Sequence, residues 1–281
     1  MRICATCAVE FSEPVPEVCP ICADERQWVP ADGQRWTTTA ELREAGQQLV
    51  WTDREPRRAE ITTAPKVGIG QTAQLVTTDE GSLLWDPTGY LDDGTARRIL
   101  ERGPVLAVAA SHPHMFGVQT AWGEALDAPV LVCASDAEWI GRRTDRVALW
   151  EDEHVLAPGL TLHRIGGHFA GAAVAHWADD VTSKGLLLSG DTVFPNPDRR
   201  SLGFMRSYPN KIPLSAGTVQ AIADRLAPLA FDRIVGNFGN LIDGDAKAVL
   251  EHSAARHVAW VRGDHDGETG IATTEGVRGD G

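Results

Sequence analysis

Apolar and polar positions follow two rhythms along the chain. Short runs rich in Val, Leu, Ile and Ala recur at 60–63, 73–77, 82–85, 105–110, 130–133, 160–164 and 185–188. Their length, and the Gly, Pro and Asp that separate them, predict β-strands. Other segments, 95–102, 118–126, 219–229 and 246–262, place apolar residues three and four apart and predict amphipathic helices; in the third, Val219, Ile222, Leu226 and Leu229 share one face. Residues 231–235 predict a last strand between the final two helices. Early strands followed by later helices fit an α/β sandwich, with two central mixed sheets and helices outside.

The flanks read differently. Residues 27–59 are rich in Trp, Arg and Glu and look like a connector arm, with one helix at 39–48 started by a threonine cap ahead of Ala40-Glu41-Leu42. Trp28, Trp36 and Trp51 are placed to pack this arm on the main unit or on a second subunit. Residues 263–281 have no apolar pattern and predict a disordered tail in which His265 is solvated. The expected organisation is thus a cysteine module at 1–26, the arm at 27–59, a main domain at 60–262 and the tail.

Composition narrows the class of protein. With 281 residues and 43% hydrophobic content the chain can bury a full core. No apolar run approaches the roughly 20 residues that span a bilayer, so no membrane partner is expected and the protein reads as soluble and cytoplasmic. The net charge of −13, from 39 acidic and 26 basic side chains, argues against a nucleic-acid-binding surface. A small-molecule partner remains, and oligomeric state is open.

Cysteines change the picture at the N-terminus. Cys4-Ala-Thr-Cys7 and Cys19-Pro-Ile-Cys22 form two C-x-x-C knuckles separated by eleven residues. Paired knuckles place four thiolates tetrahedrally around one ion, which can substitute for a core in so short a segment. A structural zinc is expected, with a rubredoxin-like iron as the alternative. A disulfide framework fits less well: no signal peptide precedes the knuckles, and the fifth cysteine, Cys133, sits alone in an apolar run as a buried thiol.

Histidines carry the candidate chemistry. His112 and His114 stand in Ser-His-Pro-His, His168 in Gly-Gly-His and Asp191 in Leu-Ser-Gly-Asp, each after a strand-like run and among small residues. In extended chain, residues i and i+2 point the same way and can grip one ion. Three neutral imidazoles and a carboxylate suit zinc, with iron or manganese possible, and three histidines leave a position for water.

At these residues the chain resembles the metallo-β-lactamase-fold hydrolases. The resemblance runs from about 60 to 262: Val67-Gly68-Ile69-Gly70, Ala73 to Val76 and Leu83-Leu84-Trp85-Asp86 look like the fold's opening strands and their buried aspartate. Ser111 to His114 match the first half of the family's H-x-H-x-D-H loop, Gly167 to Gly171 its Gly-His-x-x-Gly loop, and Gly190-Asp191-Thr192 its bridging-aspartate loop. The family's next Asp and His are here Phe116 and Gly117, and its last histidine turn reads Gly236-Asn237-Phe238-Gly239. These losses remove the ligands of a second ion. The resemblance therefore implies a mononuclear site of His112, His114 and His168, with Asp191 as fourth ligand or as the group that orients water. It is similar to a branch of the superfamily with this degenerate motif, which also carries an Asp-Arg-Arg segment, here Asp198-Arg199-Arg200.

Zinc lowers the pKa of water to roughly 7 and polarises a carbonyl oxygen. Without a second ion, esters, thioesters and lactones are favoured over phosphodiesters. Arg199, Arg200, Arg206 and Tyr208 are candidates to bind an anionic group on the substrate. Two other classes stay open: a redox protein with an iron knuckle and a non-haem iron, and a binding protein on a decayed hydrolase fold.

Overall fold

A computed structural model describes residues 1–178, 180 and 183–271. The chain begins with a three-stranded antiparallel sheet built from β1 (Arg2–Cys4), β2 (Glu10–Phe11) and β3 (Trp36–Thr37), with the one-turn helix α1 (Pro20–Ala23) beside it. The cysteine module therefore extends to 37 and does not close at 26. Helix α2 (Thr39–Glu44) follows, shorter than expected; the Thr38 hydroxyl accepts from the Glu41 N–H at 3.2 Å, as the cap predicts.

A larger correction concerns the connector arm. β4 (Gln48–Glu55) pairs along its length with β5 (Arg58–Ala64), so residues 48–59 belong to the main sheet. Charges on both faces hid this strand, because as the edge of the sheet it has little to bury. Trp36 meets Phe11 edge to face at 5.1 Å, and Trp51 lies under the guanidinium of Arg98, 4.2 Å from the ring centre. Trp28, in contrast, is 51% exposed and packs nothing down.

The first main sheet continues with β6 (Ala73–Thr77), β7 (Ser82–Trp85), helix α3 (Asp93–Leu100), β8 (Val105–Ala109), helix α4 (Gln119–Ala125), β9 (Val130–Cys133) and β10 (Val147–Trp150). Its strand order is β10-β9-β8-β7-β6-β5-β4. The second sheet comprises β11 (Glu153–Ala157), β12 (Leu160–Arg164), β13 (Ala173–Trp177) and β14 (Leu186–Leu188). Two small hairpins then intervene, β15 (Phe194–Pro195) with β16 (Leu202–Gly203) and β17 (Met205–Ser207) with β18 (Ile212–Pro213). Helix α5 (Ala216–Leu226), β19 (Arg233–Val235), β20 (Leu241–Asp243) and helix α6 (Ala246–Arg262) complete the chain, and the order is β11-β12-β13-β14-β19-β20.

Strand alternation explains the sandwich. Leu83 and Trp85 of β7 face the second sheet and meet Ala173, Ala175, Trp177, Leu186 and Leu188, whereas Leu84 faces outward onto α4 and the cysteine module. On the other side Val174 and Leu187 pack against α5 and α6, through Val219, Ile222, Leu226, Leu250 and Ala254. The N-terminal module is fused to the first sheet: Ile3, Val9, Phe11 and Ile21 share one cluster with Ile61, Leu75, Phe116 and Trp122. The contact is so close that a Cβ at Gly89 would lie 2.2 Å from that of Ala8. The module has a shared core, which the cysteine spacing alone did not reveal.

After α6 the chain turns through Gly263, whose φ of 84° and N–H bonds to Ala259 and Trp260 end the helix, into a short 3-10 turn at Asp266–Thr269. The expected disordered tail thus carries local structure to 271; residues 272–281 lie outside the described residues. No helix among the described residues is long and apolar enough to cross a membrane.

Candidate metal centre

The carboxyl ends of the parallel strands β7, β8, β14 and β19 open at one rim of the sandwich, where α/β sheets collect ligands. After β8 the chain delivers His112 and His114, after β14 Asp191 and after β19 Asn237, while the loop between β12 and β13 brings His168 over them. The Asp86 carboxylate at the end of β7 accepts from the Ser111 N–H at 2.7 Å and fixes the histidine loop. Burial pushes the Asp86 carboxyl up to about 7, opposed by that N–H. Gly190 is required at the crossing: its φ is 55°, and a Cβ there would lie 2.3 Å from the Ser111 hydroxyl oxygen.

His112, His114, His168 and Asp191 each offer one ligand atom, all within 4.8 Å of one another, and all four residues are buried. The Asp191 Oδ2 stands 3.5 Å from His112 Nε2 and 3.6 Å from His168 Nε2, and His168 Nε2 is 3.3 Å from His114 Nδ1. Outer partners set the ring orientations. His168 Nδ1 lies 2.9 Å from the Met205 carbonyl, which can only accept, so Nδ1 carries the proton and Nε2 offers its lone pair to the centre. His112 Nδ1 meets the Ser111 hydroxyl at 2.9 Å, and its Nε2 has no hydrogen-bond partner.

Burial favours the neutral form of His114 and of His168. The His114 imidazole is held well below its usual pKa by burial and by His112 and His168, and His168 is lowered to about 4 by burial and by His112. Burial would raise the Asp191 carboxyl, but its contacts with His112 and His168 and the Asn237 amide outweigh that and hold it low. Imidazole nitrogens and an ionised carboxylate aimed at one point, with the buried His112 Nε2 left without a partner, fit a divalent cation.

The positions of the missing ligands are filled. Phe116 is buried in the core shared with the cysteine module, and Gly117 has a φ of 51° with room for no side chain, since a Cβ would lie 2.4 Å from the Pro87 carbonyl oxygen. Asn237 donates its amide to Asp191 Oδ1 at 2.9 Å, leaving Oδ2 for the histidines. Restoring the motif with Gly117→His is therefore expected to lower stability by on the order of 2 kcal/mol and to add no metal; thermal unfolding and elemental analysis of the purified variant check both.

Residues that sequence patterns missed stand behind the histidines. Phe169 stacks on His112, with ring centres 5.7 Å apart, and meets His114 edge to face at 4.8 Å. On its other side lies Arg26 of the cysteine module, Cζ 3.6 Å from the ring centre, donating to the His168 carbonyl at 3.2 Å and paired with Asp24. Asp136 accepts from the Gly171 N–H at 2.7 Å and pins the His168 loop. No motif marks these residues; only the fold brings positions 26, 136 and 169 together.

Burial raises the Asp136 carboxyl to about 6. An acid with a raised folded-state pKa keeps its proton where the unfolded chain has lost it, so stability falls as pH rises from about 4 to 6 and is level above. Asp136→Asn is expected to gain on the order of 2 kcal/mol at pH 8, a gain that shrinks towards pH 4 in thermal melts of the two proteins.

The remaining candidates separate. Tyr208 lies at the centre, its hydroxyl donating to the Gly203 carbonyl at 3.0 Å, and it lines a slot of about 120 Å³ with Asp191, Met115, Ile69 and Phe238. Arg199 lines an adjoining cleft of about 550 Å³. Arg200 is exposed at the tip of the Asp198 turn, and Arg206 pairs with Glu25 of the N-terminal module, so neither is drawn into the slot.

The second cluster is the cysteine tetrad. Cys4 Sγ and Cys22 Sγ are 3.6 Å apart, Cys7 Sγ and Cys19 Sγ 3.7 Å, and all four are buried free thiols within one 4.8 Å group. Sulfurs about 2.3 Å from a tetrahedral zinc would be separated by about 3.8 Å, so the tetrad is closely the size of such a site. Cys133 is buried and apart, its thiol near the Glu151 carbonyl.

No family model matches the sequence. The uncharacterised protein YmaE of Bacillus subtilis (strain 168) is 41% identical over 260 residues, which cover 91% of this chain and 95% of that protein. Among solved structures, the DIM-1 metallo-β-lactamase superposes with a TM-score of 0.54 at 15% identity, covering 75% of this chain and 97% of its own. A metallo-β-lactamase from Pontibacter korlensis gives a TM-score of 0.52 at 18% identity, covering 75% and 99%. FIM-1 from Pseudomonas aeruginosa, in its mono-zinc form, also gives 0.52, at 17% identity and 75% and 96% coverage.

Proposed function

The chain belongs to the family of Bacillus subtilis YmaE and has the metallo-β-lactamase fold, and on that premise we propose that it is a metal-dependent hydrolase of small esters, thioesters or lactones. The observation that carries the reading is the convergence of His112 Nε2, His114 Nδ1, His168 Nε2 and Asp191 Oδ2 in a buried centre. These residues would hold one ion, zinc by donor type, and Cys4, Cys7, Cys19 and Cys22 a second, structural one. When bound at the histidines, such an ion supplies a Lewis-acidic charge and makes hydroxide available near neutral pH.

The chain's own groups supply the rest. Asp191, with Oδ1 tied to Asn237, uses Oδ2 to orient water and take up its proton. Water oxygen adds to the acyl carbon, the carbon–oxygen or carbon–sulfur bond breaks, and the leaving atom departs with the proton. The Tyr208 ring and Phe238 wall the slot above Asp191 and exclude bulk water from it. With Phe116, Gly117 and Asn237 in place of a second ion's ligands, nothing steadies a poor leaving group, which favours activated acyl compounds.

Metal per chain tests the reading. Two equivalents are expected in the full-length protein and one in the His112→Ala/His114→Ala variant, with acyl hydrolysis lost from the variant. One equivalent in both proteins would defeat the reading and leave a binding protein on this fold. A red protein would replace zinc by iron at the cysteines and favour redox chemistry.

A further inference from the structure

Beside the slot at Asp191 opens the cleft of about 550 Å³ that Arg199 lines, a size in the ordinary range for small-molecule sites, and Phe194 and Phe238 wall both spaces. The two spaces differ in chemistry. The slot is small and almost wholly apolar, bounded by Ile69, Met115 and the Tyr208 ring, whereas the charged side chains lining the cleft are Arg54, Arg58 and Arg199 against the single carboxylate of Glu60. On a chain of net charge −13 this is a local excess of positive charge.

The bonding within the cleft decides which arginines are free to act. Glu60 gives one oxygen to Arg58 at 3.1 Å and the other to Arg54 Nε at 2.7 Å. Arg58, 3% exposed, is also held by Glu55 and the Gln74 amide oxygen, so it forms the floor of the cleft. Arg54 has a half-exposed side chain whose bond to Glu60 uses Nε and not the Nη groups, and Arg199 makes no side-chain hydrogen bond or ion pair among the described residues. Two guanidinium forks thus face one cavity without a carboxylate to themselves, next to an apolar slot that ends on the proposed nucleophile-orienting group.

We propose that the cleft is an anion subsite for the leaving-group side of the substrate. The substrate class is then a small apolar acyl group, seated in the slot at Asp191, ester- or thioester-linked to a larger carrier that bears a phosphate or carboxylate, which the forks of Arg199 and Arg54 bind. The assignment of ends rests on the volumes and linings of the two spaces, and the whole rests on the hydrolase reading above. On hydrolysis the acyl group leaves as a carboxylic acid and the carrier as an alcohol or thiol that keeps its anionic group.

The experiment compares acetyl thioesters of three thiols, one neutral, one phosphorylated and one carboxylated, with the holoenzyme and its Arg199→Ala and Arg54→Ala variants. The wild type is expected to prefer one charged thioester over the neutral one in kcat/KM, and the preferred charge identifies the carrier. Each variant is expected to reduce that preference about tenfold or more, mostly through KM. Equal kcat/KM for all three thioesters in the wild type, or an undiminished preference in both variants, would overturn the subsite. If no thioester is hydrolysed, the hydrolase reading fails and the subsite is judged separately: calorimetry with inorganic pyrophosphate and with succinate must show binding that Arg199→Ala weakens, and absence of binding by both ions overturns it.

Discussion

Asp191→Asn is expected to lower kcat/KM for acyl hydrolysis by about 10²–10⁴-fold while leaving the melting temperature nearly unchanged. The substitution keeps the volume and an oxygen for the Asn237 amide, which now bonds Asp191 Oδ1 at 2.9 Å. What it removes is the charge on the oxygen that stands 3.5 Å and 3.6 Å from the two histidine nitrogens. An amide there would turn its N–H groups towards lone pairs that also point inward, so both proton uptake and cation binding suffer. Steady-state kinetics with elemental analysis separates the two losses: a variant that retains its metal but not its rate places Asp191 on the water, and one that loses the metal places it among the ligands. Retention of half the wild-type rate would remove Asp191 from the chemistry.

Disrupting the cysteine tetrad, which would hold the structural ion, is expected to damage the histidine centre some distance away in sequence. Replacing Cys4 and Cys22 together by serine leaves buried hydroxyls where a closed tetrad stood, and should cost about 5 kcal/mol or more, given what structural zinc contributes to small domains. The damage should spread because residues 25–27 touch the loops that carry His168 and the β17–β18 hairpin. Arg26 backs Phe169 and the His168 carbonyl, Ser207 donates to the Arg26 carbonyl at 3.0 Å, and Asn210 reaches the Glu25 and Gln27 carbonyls. A milder probe leaves the tetrad intact: Arg26→Met removes the guanidinium from Phe169 and is expected to cost about 1–2 kcal/mol. It should also speed release of the histidine-bound ion to a chelator by about tenfold, read as colour formation with a metallochromic dye. Unchanged release in Arg26→Met would confine the module to a purely structural role.

Much of this was legible in the sequence, for identifiable reasons. β6, β7, β9 and β12 lie where their apolar runs predict: β7 and β9 are buried along their length and β6 along all but its last residue, while in β12 buried Leu160 and Leu162 alternate with half-buried Thr161 and His163. Helix α6 spans the expected 246–262, its buried Ala246, Leu250, Ala254 and Val258 spaced by four. β4, β10 and β11 escaped notice because they are edge strands: Leu149 is 49% exposed and Val155 63%, so no alternation marks an inner face. At the site, His112, His114, His168 and Asp191 were visible because each sits in a short loop whose small neighbours have steric reasons to be small. The residues that hold those loops were not visible. Arg26 reads as one more charged residue in an arm, and Asp136 as one more acid in a loop; their roles depend on contacts across 142 and 35 positions of chain.

One helix start has a temporal consequence. Helix α4, which follows the histidine loop, has no side-chain cap of its own at Val118; the carboxylate of Glu10 in β2 accepts from the Thr120 and Ala121 N–H groups instead, held there by Arg142. During synthesis the N-terminal knuckles emerge first, yet the surfaces they fit against, from Val67 to Gly141, arrive later. The nascent thiols therefore stay uncovered until residues up to about 141 have been made. Folding of this chain from its beginning should be as sensitive to the redox state and metal supply of its surroundings as to temperature, and refolding yields with and without reductant would register it.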